Sequence, residues 1–362
     1  MKIRDIAALR LRTQRVCGLP FDSPGNVVHW LGAMQSQEFG VAKWSIGKRM
    51  RAATEAAIDK AFDEGIILRT HVLRPTWHFV LPADIRWILE LTGPRVHKLN
   101  APMYRKLELD DRLRTRARTL FERALAGNVH LTRRDLQAVL HENGIDASGQ
   151  RLAYIMMRAE LNGVLCSGAL KGKQHTYALI DERAPRSRSL PRDEALAELA
   201  RRYVTSHGPA TVKDFAWWSG LTLADVRRGI EIAAPRLETF SVDGRSYWSA
   251  GPAPASHHET APTAHLMQGY DEYIVAYSES RDVLIPDGIT GSPRFRPPFT
   301  HALIIDGMLA GHWRRLPRAN TLALEVQLLR ALNRRDMAAL DAAADRYRQF
   351  AGAQHVDLRF LV

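Results

Sequence analysis

Three stretches of the sequence repeat one order of elements: a helix, a turn, a second helix and a short β-hairpin. The middle stretch is the clearest. In LTRRDLQAVLHENG, Thr132 is placed to cap a helix whose apolar positions are Leu136, Val139 and Leu140, and Gly144 stops it. SGQRLAYIMMRAELNG follows as a second helix, with Ser148 as cap and Leu152, Ile155, Met156, Ala159 and Leu161 facing inward. VLCSGALKGKQHTYALI then reads as two short strands joined by the basic turn Leu170–Gln174. The next stretch repeats the order. DEALAELARRYVTSHG is an amphipathic helix, ATVKDFAWWSG and LTLADVRRGIEIAA are two more, and RLETFSVDGRSYWSA is a hairpin with Asp243-Gly244 as its tight turn. The first stretch is less regular, with helices expected at about 3–16, 23–34 and 54–64 before the β-rich IILRTHVLRPTWHFVL.

Helix, turn, helix and basic hairpin is the winged-helix layout, in which the second helix normally lies in a DNA groove and the hairpin is the wing. Near GPAPASHHETAPT the chain changes to a Pro/Ala/Ser linker. Beyond it, YDEYIVAYSE, FTHALIIDGMLAGHWRRL and VDLRFLV read as strands, with helices around 321–333 and 336–351. The expected fold class is mainly α with β wings (α+β): winged helices over 1–100, 101–184 and 185–252, then a β-containing C-terminal domain over 253–362.

Charge narrows the partner. The chain carries 51 Lys and Arg against 39 Asp and Glu, a net +12, and 42 of the cations are Arg. Such an excess suits a polyanion, and the Arg fork suits phosphates and guanine edges. A GC-rich genome accounts for Arg over Lys but not for the net charge. Cys17 and Cys166 stand far apart, which argues against a disulfide framework or a zinc ribbon. MKIRDIAALRLR is charged from its start, unlike a signal peptide, and no run of about 18 apolar residues occurs. The expected compartment is the cytoplasm.

Four groups of residues invite a chemical reading. Gln35 and Gln37 of Gln35-Ser36-Gln37 point the same way if the backbone is extended, and two amides can grip one water; the plainer alternative is a surface turn. In Arg74-Pro75-Thr76-Trp77-His78-Phe79 the apolar Trp77 and Phe79 alternate with polar residues, and His78 is a candidate to titrate near neutrality or to bond a base; the alternative is a strand with a rim histidine. In Tyr270-Asp271-Glu272-Tyr273 the acids suit acid/base work, a metal or structural ion pairs with Arg. His257, His258, Glu259 and His265 match no metal-site spacing, so no metal is expected. The P-loop, the Rossmann glycines, GxSxG and HExxH are all missing, so no cofactor is expected either.

Taken together, LGAMQSQEFG, HVLRPTWHFVLPADI, YDEYIVAYSESR and LIIDGMLAGHWRR resemble the winged-helix family of bacterial DNA glycosylases of the AlkZ and YcaQ type, from about Asp22 to Trp313. The resemblance implies tandem winged helices with a β-containing tail and excision of N-alkylated purines, including bases in interstrand crosslinks. It implies catalysis by Gln35 and Gln37, matching a Gln-x-Gln motif of the AlkZ-like branch; His78 and Asp271 are the candidate neighbours of that pair. Ser36 departs from the larger apolar residue common at the middle position. An alkylated N7-guanine or N3-adenine is already cationic and leaves without a proton, so placing a water is the main task. No lysine flanks the motif, which favours a monofunctional hydrolase. Arg69, Arg74, Lys171, Lys173 and Arg245 are the candidate DNA contacts, with the protein acting as a monomer on duplex DNA. The competing reading is a winged-helix transcription regulator without activity.

Overall fold

A computed structural model describes residues 2–251, 263–286, 301–316 and 322–361. Most of the expected linker, with His257, His258 and Glu259, lies outside the described residues.

The first stretch contains α1 (Ile3–Thr13), α2 (Pro24–Leu31), β1 (Met34–Gln35), α3 (Phe39–Gly47), α4 (Glu55–Asp63), β2 (Leu68–Val72) and β3 (Thr76–Val80). Ser23 and Thr54 cap α2 and α4 by accepting from Asn26 N and Ala57 N. The strands form an antiparallel sheet in the order β1-β3-β2. Helix α3 was not expected from the sequence. Every residue from Ala42 to Gly47 is buried, so the segment lacks the one-sided apolar stripe that betrays a surface helix.

The long α5 (Ile85–Lys106) leads to the second stretch. There α6 (Asp111–Leu125), β4 (Leu131–Thr132), α7 (Arg133–Glu142), α8 (Gly149–Leu161), β5 (Leu165–Ser167) and β6 (Thr176–Leu179) follow, the strands ordered β4-β6-β5. Thr132 caps α7 as expected, in a capping box with Asp135. After α9 (Ile180–Arg183), the third stretch holds α10 (Arg192–His207), α11 (Val212–Ser219), α12 (Leu223–Ala233) and the hairpin β7 (Glu238–Val242) and β8 (Arg245–Ser249). Asp243 and Gly244 turn it with φ of 48° and 75°, the two positive values such a two-residue turn needs.

Two expectations for the tail fail. Tyr270–Ser278 is not a strand: Asp271 accepts from Tyr273 N at 3.0 Å and starts the short helix α13 (Glu272–Val275). The segment around 321–333 is not a helix but β12, and its alternating Leu322, Leu324 and Val326, all buried, is the period-two signal that outweighs its Ala and Leu content. In chain order the tail runs β9 (Ala264–Met267), α13, β10 (His301–Ile305), β11 (Met308–Leu316), β12 (Leu322–Leu328), α14 (Arg334–Phe350) and β13 (Val356–Leu361). The sheet order is β13-β12-β11-β10-β9, with only β12 and β13 parallel.

This sheet packs on the first stretch rather than on itself alone. Trp44 of α3 donates its indole N–H to Leu266 O at 2.7 Å and meets the rings of Tyr347 and Phe350 at 5.0 and 5.1 Å. Gly47 lies so close to Phe350 that an added Cβ would stand 2.5 Å from its ring. Residues of α2, α3, β3, the tail sheet and α14 thus share one core. The tail therefore brings residues numbered above 264 against the strand that carries Gln35.

Candidate active site

Gln35 ends β1, an edge strand, with His78 of β3 as its direct partner and Thr70 of β2 next in the row. Direct partners in adjacent strands face the same side of a sheet, so Gln35, His78 and Thr70 form one polar row. The extended backbone stops at Ser36, whose N–H donates to Trp77 O at 2.7 Å; Gln37 already lies in the bend that enters α3. The two glutamines therefore have unlike surroundings. Gln35 is 7% exposed and its Oε1 accepts from Arg74 Nη2 at 3.2 Å. Gln37 is exposed, and its Oε1 accepts from Trp77 N at 3.4 Å.

His78 joins Gln35 as expected but does not titrate near neutrality. It is fully buried, and burial pushes its pKa down to about 4, the nearby Arg74 acting the same way and the anionic Glu272 opposing both. Its Nδ1 meets Thr76 O at 2.9 Å, while its Nε2 and the hydroxyls of Thr70 and Thr76 have no hydrogen-bond partner among the described residues.

Asp271 is not at this site. Its two carboxylate oxygens each accept from Arg49 at 2.8 Å in the buried frame that joins α3 to the tail. Burial alone would raise its pKa, but Arg49 outweighs burial and holds it below the ordinary aspartate value. The next residue takes the expected place. Glu272, 1% exposed, accepts from Gln35 N through Oε1 at 2.6 Å and from Trp218 Nε1 through Oε2 at 2.8 Å. The motif was visible in the sequence; which of its two acids faces Gln35 depends on the turn that Asp271 caps.

The candidate DNA contacts divide sharply. Arg69 is 7% exposed, and its guanidinium donates to Ser36 O at 2.9 and 3.1 Å and to Gln37 O at 3.3 Å. It also stacks 4.3 Å from the half-buried Trp77 ring, and burial lowers its pKa to about 10. Arg69 therefore braces the bend and is withdrawn from DNA. Arg74 is half-buried between Gln35 and the Trp217 ring, 4.9 Å away. Arg245 is bound by both nitrogens to Asp282, at 2.6 and 2.7 Å, so the third hairpin does not offer the free cation expected of it.

Lys171 and Lys173 are exposed at the tip of the β5–β6 hairpin. The residues flanking that tip abut the site: Leu170 N donates to Asp63 at 2.7 Å, and the His175 ring meets Phe39, two residues past Gln37, at 4.7 Å. Arg133 and Arg134, exposed in the first turn of α7, extend the same basic surface, since Lys171 and Arg134 both act on Asp135. The Arg pair beside the Thr132 cap was the overlooked sequence signal. Helix α8, expected to lie in a DNA groove, has no exposed residue from Arg151 to Leu161. It is wedged against α5 and β2, where Glu160 meets His71 Nδ1 at 2.6 Å and a Cβ on Gly93 would stand 3.0 Å from Leu161 O.

No group of three or more His, Cys, Asp or Glu able to hold a metal occurs among the described residues, and no described helix is long and apolar enough to cross a membrane.

A family model described as DNA glycosylase AlkZ-like matches residues 28–350. The chain is 22% identical over 323 residues to an interstrand DNA cross-link repair glycosylase of Streptomyces sahachiroi, covering 86% of this chain and 87% of that protein. The solved structure of the Streptomyces sahachiroi DNA glycosylase AlkZ is similar with a TM-score of 0.83, 20% identity and 100% coverage of both chains. At that identity the structural likeness is one of fold.

Proposed function

Because this chain belongs to the AlkZ-like DNA glycosylase family, we propose that it hydrolyses the N-glycosidic bond of N-alkylated purines in duplex DNA, with Gln35 and Gln37 placing the water. The observation that carries this reading is the way Gln35 is held. Its amide is fixed at the end of a strand, beside a histidine kept neutral by burial. N7-alkylguanine and N3-alkyladenine leave as neutral bases when the bond breaks, so no general acid is needed. The positive charge passes to the sugar, and the water adds to C1′ and passes its extra proton to bulk water. Each amide oxygen accepts one hydrogen bond from the protein and has a second lone pair for that water. Orientation of this kind supplies much of a barrier reduction.

The partners of Lys43, Lys48 and Lys60 favour hydrolysis over a Schiff base. Lys43 is bound to Asp59 at 2.8 Å and to Glu55 at 2.7 Å, Lys48 to His265 at 3.1 Å, and Lys60 faces Glu64 at 3.7 Å.

We read the three helix-and-hairpin units over 1–100, 101–184 and 185–252 as tandem winged helices, with 253–362 closing over the first. In this reading Lys171, Lys173, Arg133 and Arg134 take phosphates, and the protein works as a monomer in the cytoplasm. The name of the curated relative extends the proposal to interstrand crosslinks. A base tied to the opposite strand cannot swing out freely, so such a substrate requires an open groove.

The test is incubation with duplex DNA carrying N7-methylguanine, N3-methyladenine or a nitrogen-mustard crosslink, followed by alkali. Strand breaks at the lesion are expected. Intact strands with all three would leave the regulator as the better reading.

A further inference from the structure

Gln35 is gripped from two directions by residues far away in sequence. Its N–H points off the free edge of the sheet and donates to Glu272 Oε1 at 2.6 Å, while its side-chain Oε1 accepts from Arg74. Two consecutive tryptophans of α11 back these two arms. Trp218 donates its indole N–H to the other oxygen of Glu272 at 2.8 Å. Trp217 lies against the Arg74 guanidinium, 4.9 Å from ring centroid to Cζ, and donates its own N–H to Val275 O at 2.9 Å, three residues beyond Glu272. His207 Nε2 completes the surround at 3.4 Å from Glu272 Oε2.

A carboxylate with 1% exposure is an unfavourable way to satisfy one edge N–H, because a buried charge is destabilising unless its partners compensate for the lost water. Burial alone would raise the pKa of Glu272; the hydrogen bonds from His207 and the Gln35 N–H outweigh it and hold the group below the ordinary glutamate value, as an anion. A water could serve a solvent-facing N–H equally well. What water cannot supply is a fixed direction, and the anion gives Gln35 one while also attracting Arg74 to the amide's other side.

We propose that Glu272 is a positioning residue for base excision, anchoring Gln35 so that its amide faces the scissile bond, with Trp217 and Trp218 as the braces of this clamp. The proposal rests on the reading of Gln35 as a water-placing residue. It explains why the motif acid that approaches the site is the one without a strong cation on it. It also makes the site a joint product of the first stretch, α11 and the tail.

Single-turnover excision of N7-methylguanine, measured over a range of enzyme concentrations beside a melting curve, tests it. Glu272→Gln is expected to lower the maximal rate roughly tenfold to a hundredfold, the scale on which a misplaced reacting group is penalised, with unchanged half-saturation. In the Gln35→Ala background the same change is expected to cost nothing further, because the group it positions is gone. Trp218→Phe keeps the carboxylate and removes one of its donors, so it serves if Glu272→Gln fails to fold. It is expected to slow excision less, and again only when Gln35 is present. A wild-type rate for both Glu272→Gln and Trp218→Phe alongside a slow Gln35→Ala would overturn the clamp and leave the site reading intact. Losses that multiply with Gln35→Ala would also overturn it. A wild-type rate for Gln35→Ala would instead sink the reading of the site itself.

Discussion

The bend after β1 and the tip of the β5–β6 hairpin are neighbours, joined through Phe39 and His175, yet they are built on opposite principles. Around the bend the motif's own groups are held from several sides: the Ser36 and Gln37 carbonyls by Arg69, Gln35 by Glu272 and Arg74. At the tip, Lys171 and Lys173 stand in solvent. The contrast separates two tasks. Orientation of a water is served by a group held as Gln35 is, buried and gripped from two sides, whereas phosphate contact is served by free, long-reaching charges. The third hairpin shows that layout alone does not decide between them. It shares the order of the second, but its Arg245 is taken by Asp282 at 2.6 and 2.7 Å where Lys171 and Lys173 are exposed.

Predictions that sharpen or break this contrast run from large effects to small. Asp271→Asn keeps an oxygen to cap α13, and with it the aim of Glu272, but leaves Arg49 buried without its counter-ion; it is expected to cost about 3–5 kcal/mol of stability, while the excision rate well below the melting temperature stays near wild type. Thermal unfolding paired with a rate assay checks this; a rate lost with stability intact would return Asp271 to the chemistry. Changing Lys171 and Lys173 together to Ala is expected to weaken duplex binding alike for all sequences. The plot of log affinity against log salt should become shallower by about 1.8, or ~0.9 for each lost phosphate contact. An unchanged slope would mean that this hairpin faces away from DNA. Arg245→Ala should shift stability by less than about 1 kcal/mol, since its ion pair is partly exposed, and should leave the salt slope alone.

The smallest expected effect is an absence. His78 has its folded pKa pushed down to about 4 by burial, so it stays neutral from pH 5 to 8 and excision should show no inflection near pH 6.5. For stability the sign follows. The folded state prefers the neutral ring, so His78 contributes stability above its unfolded pKa and loses it as pH falls from about 6.5 toward 4. An inflection near 6.5 that vanishes in His78→Asn would show that the ring titrates during the reaction.

Local chemistry explains what could be read ahead of the structure. The Thr132 cap, the Asp243-Gly244 turn and the periodic apolar positions of α7 and α8 are decided by residues within a few positions of one another. Helix α3 and strand β12 were missed or misread because both are buried by partners distant in sequence. The same holds at the site. Gln35, Gln37 and His78 are singled out by the family motifs, but the burial of Arg69, the pairing of Arg245 with Asp282 and the approach of Glu272 rather than Asp271 to Gln35 are tertiary facts. A charge count over the sequence treats all arginines alike; the fold ties up several of them internally before DNA is met.

The most direct test of the catalytic assignment is single-turnover excision of N7-methylguanine by wild type, Gln35→Ala and Gln37→Ala at saturating enzyme, with DNA affinity and melting temperature measured for each. Loss of water orientation is expected to slow both variants by roughly a hundredfold while affinity holds. Melting should fall little for Gln37→Ala and slightly more for Gln35→Ala, which deprives Arg74 of an acceptor. Wild-type rates in both variants would contradict the assignment of this bend as the catalytic site.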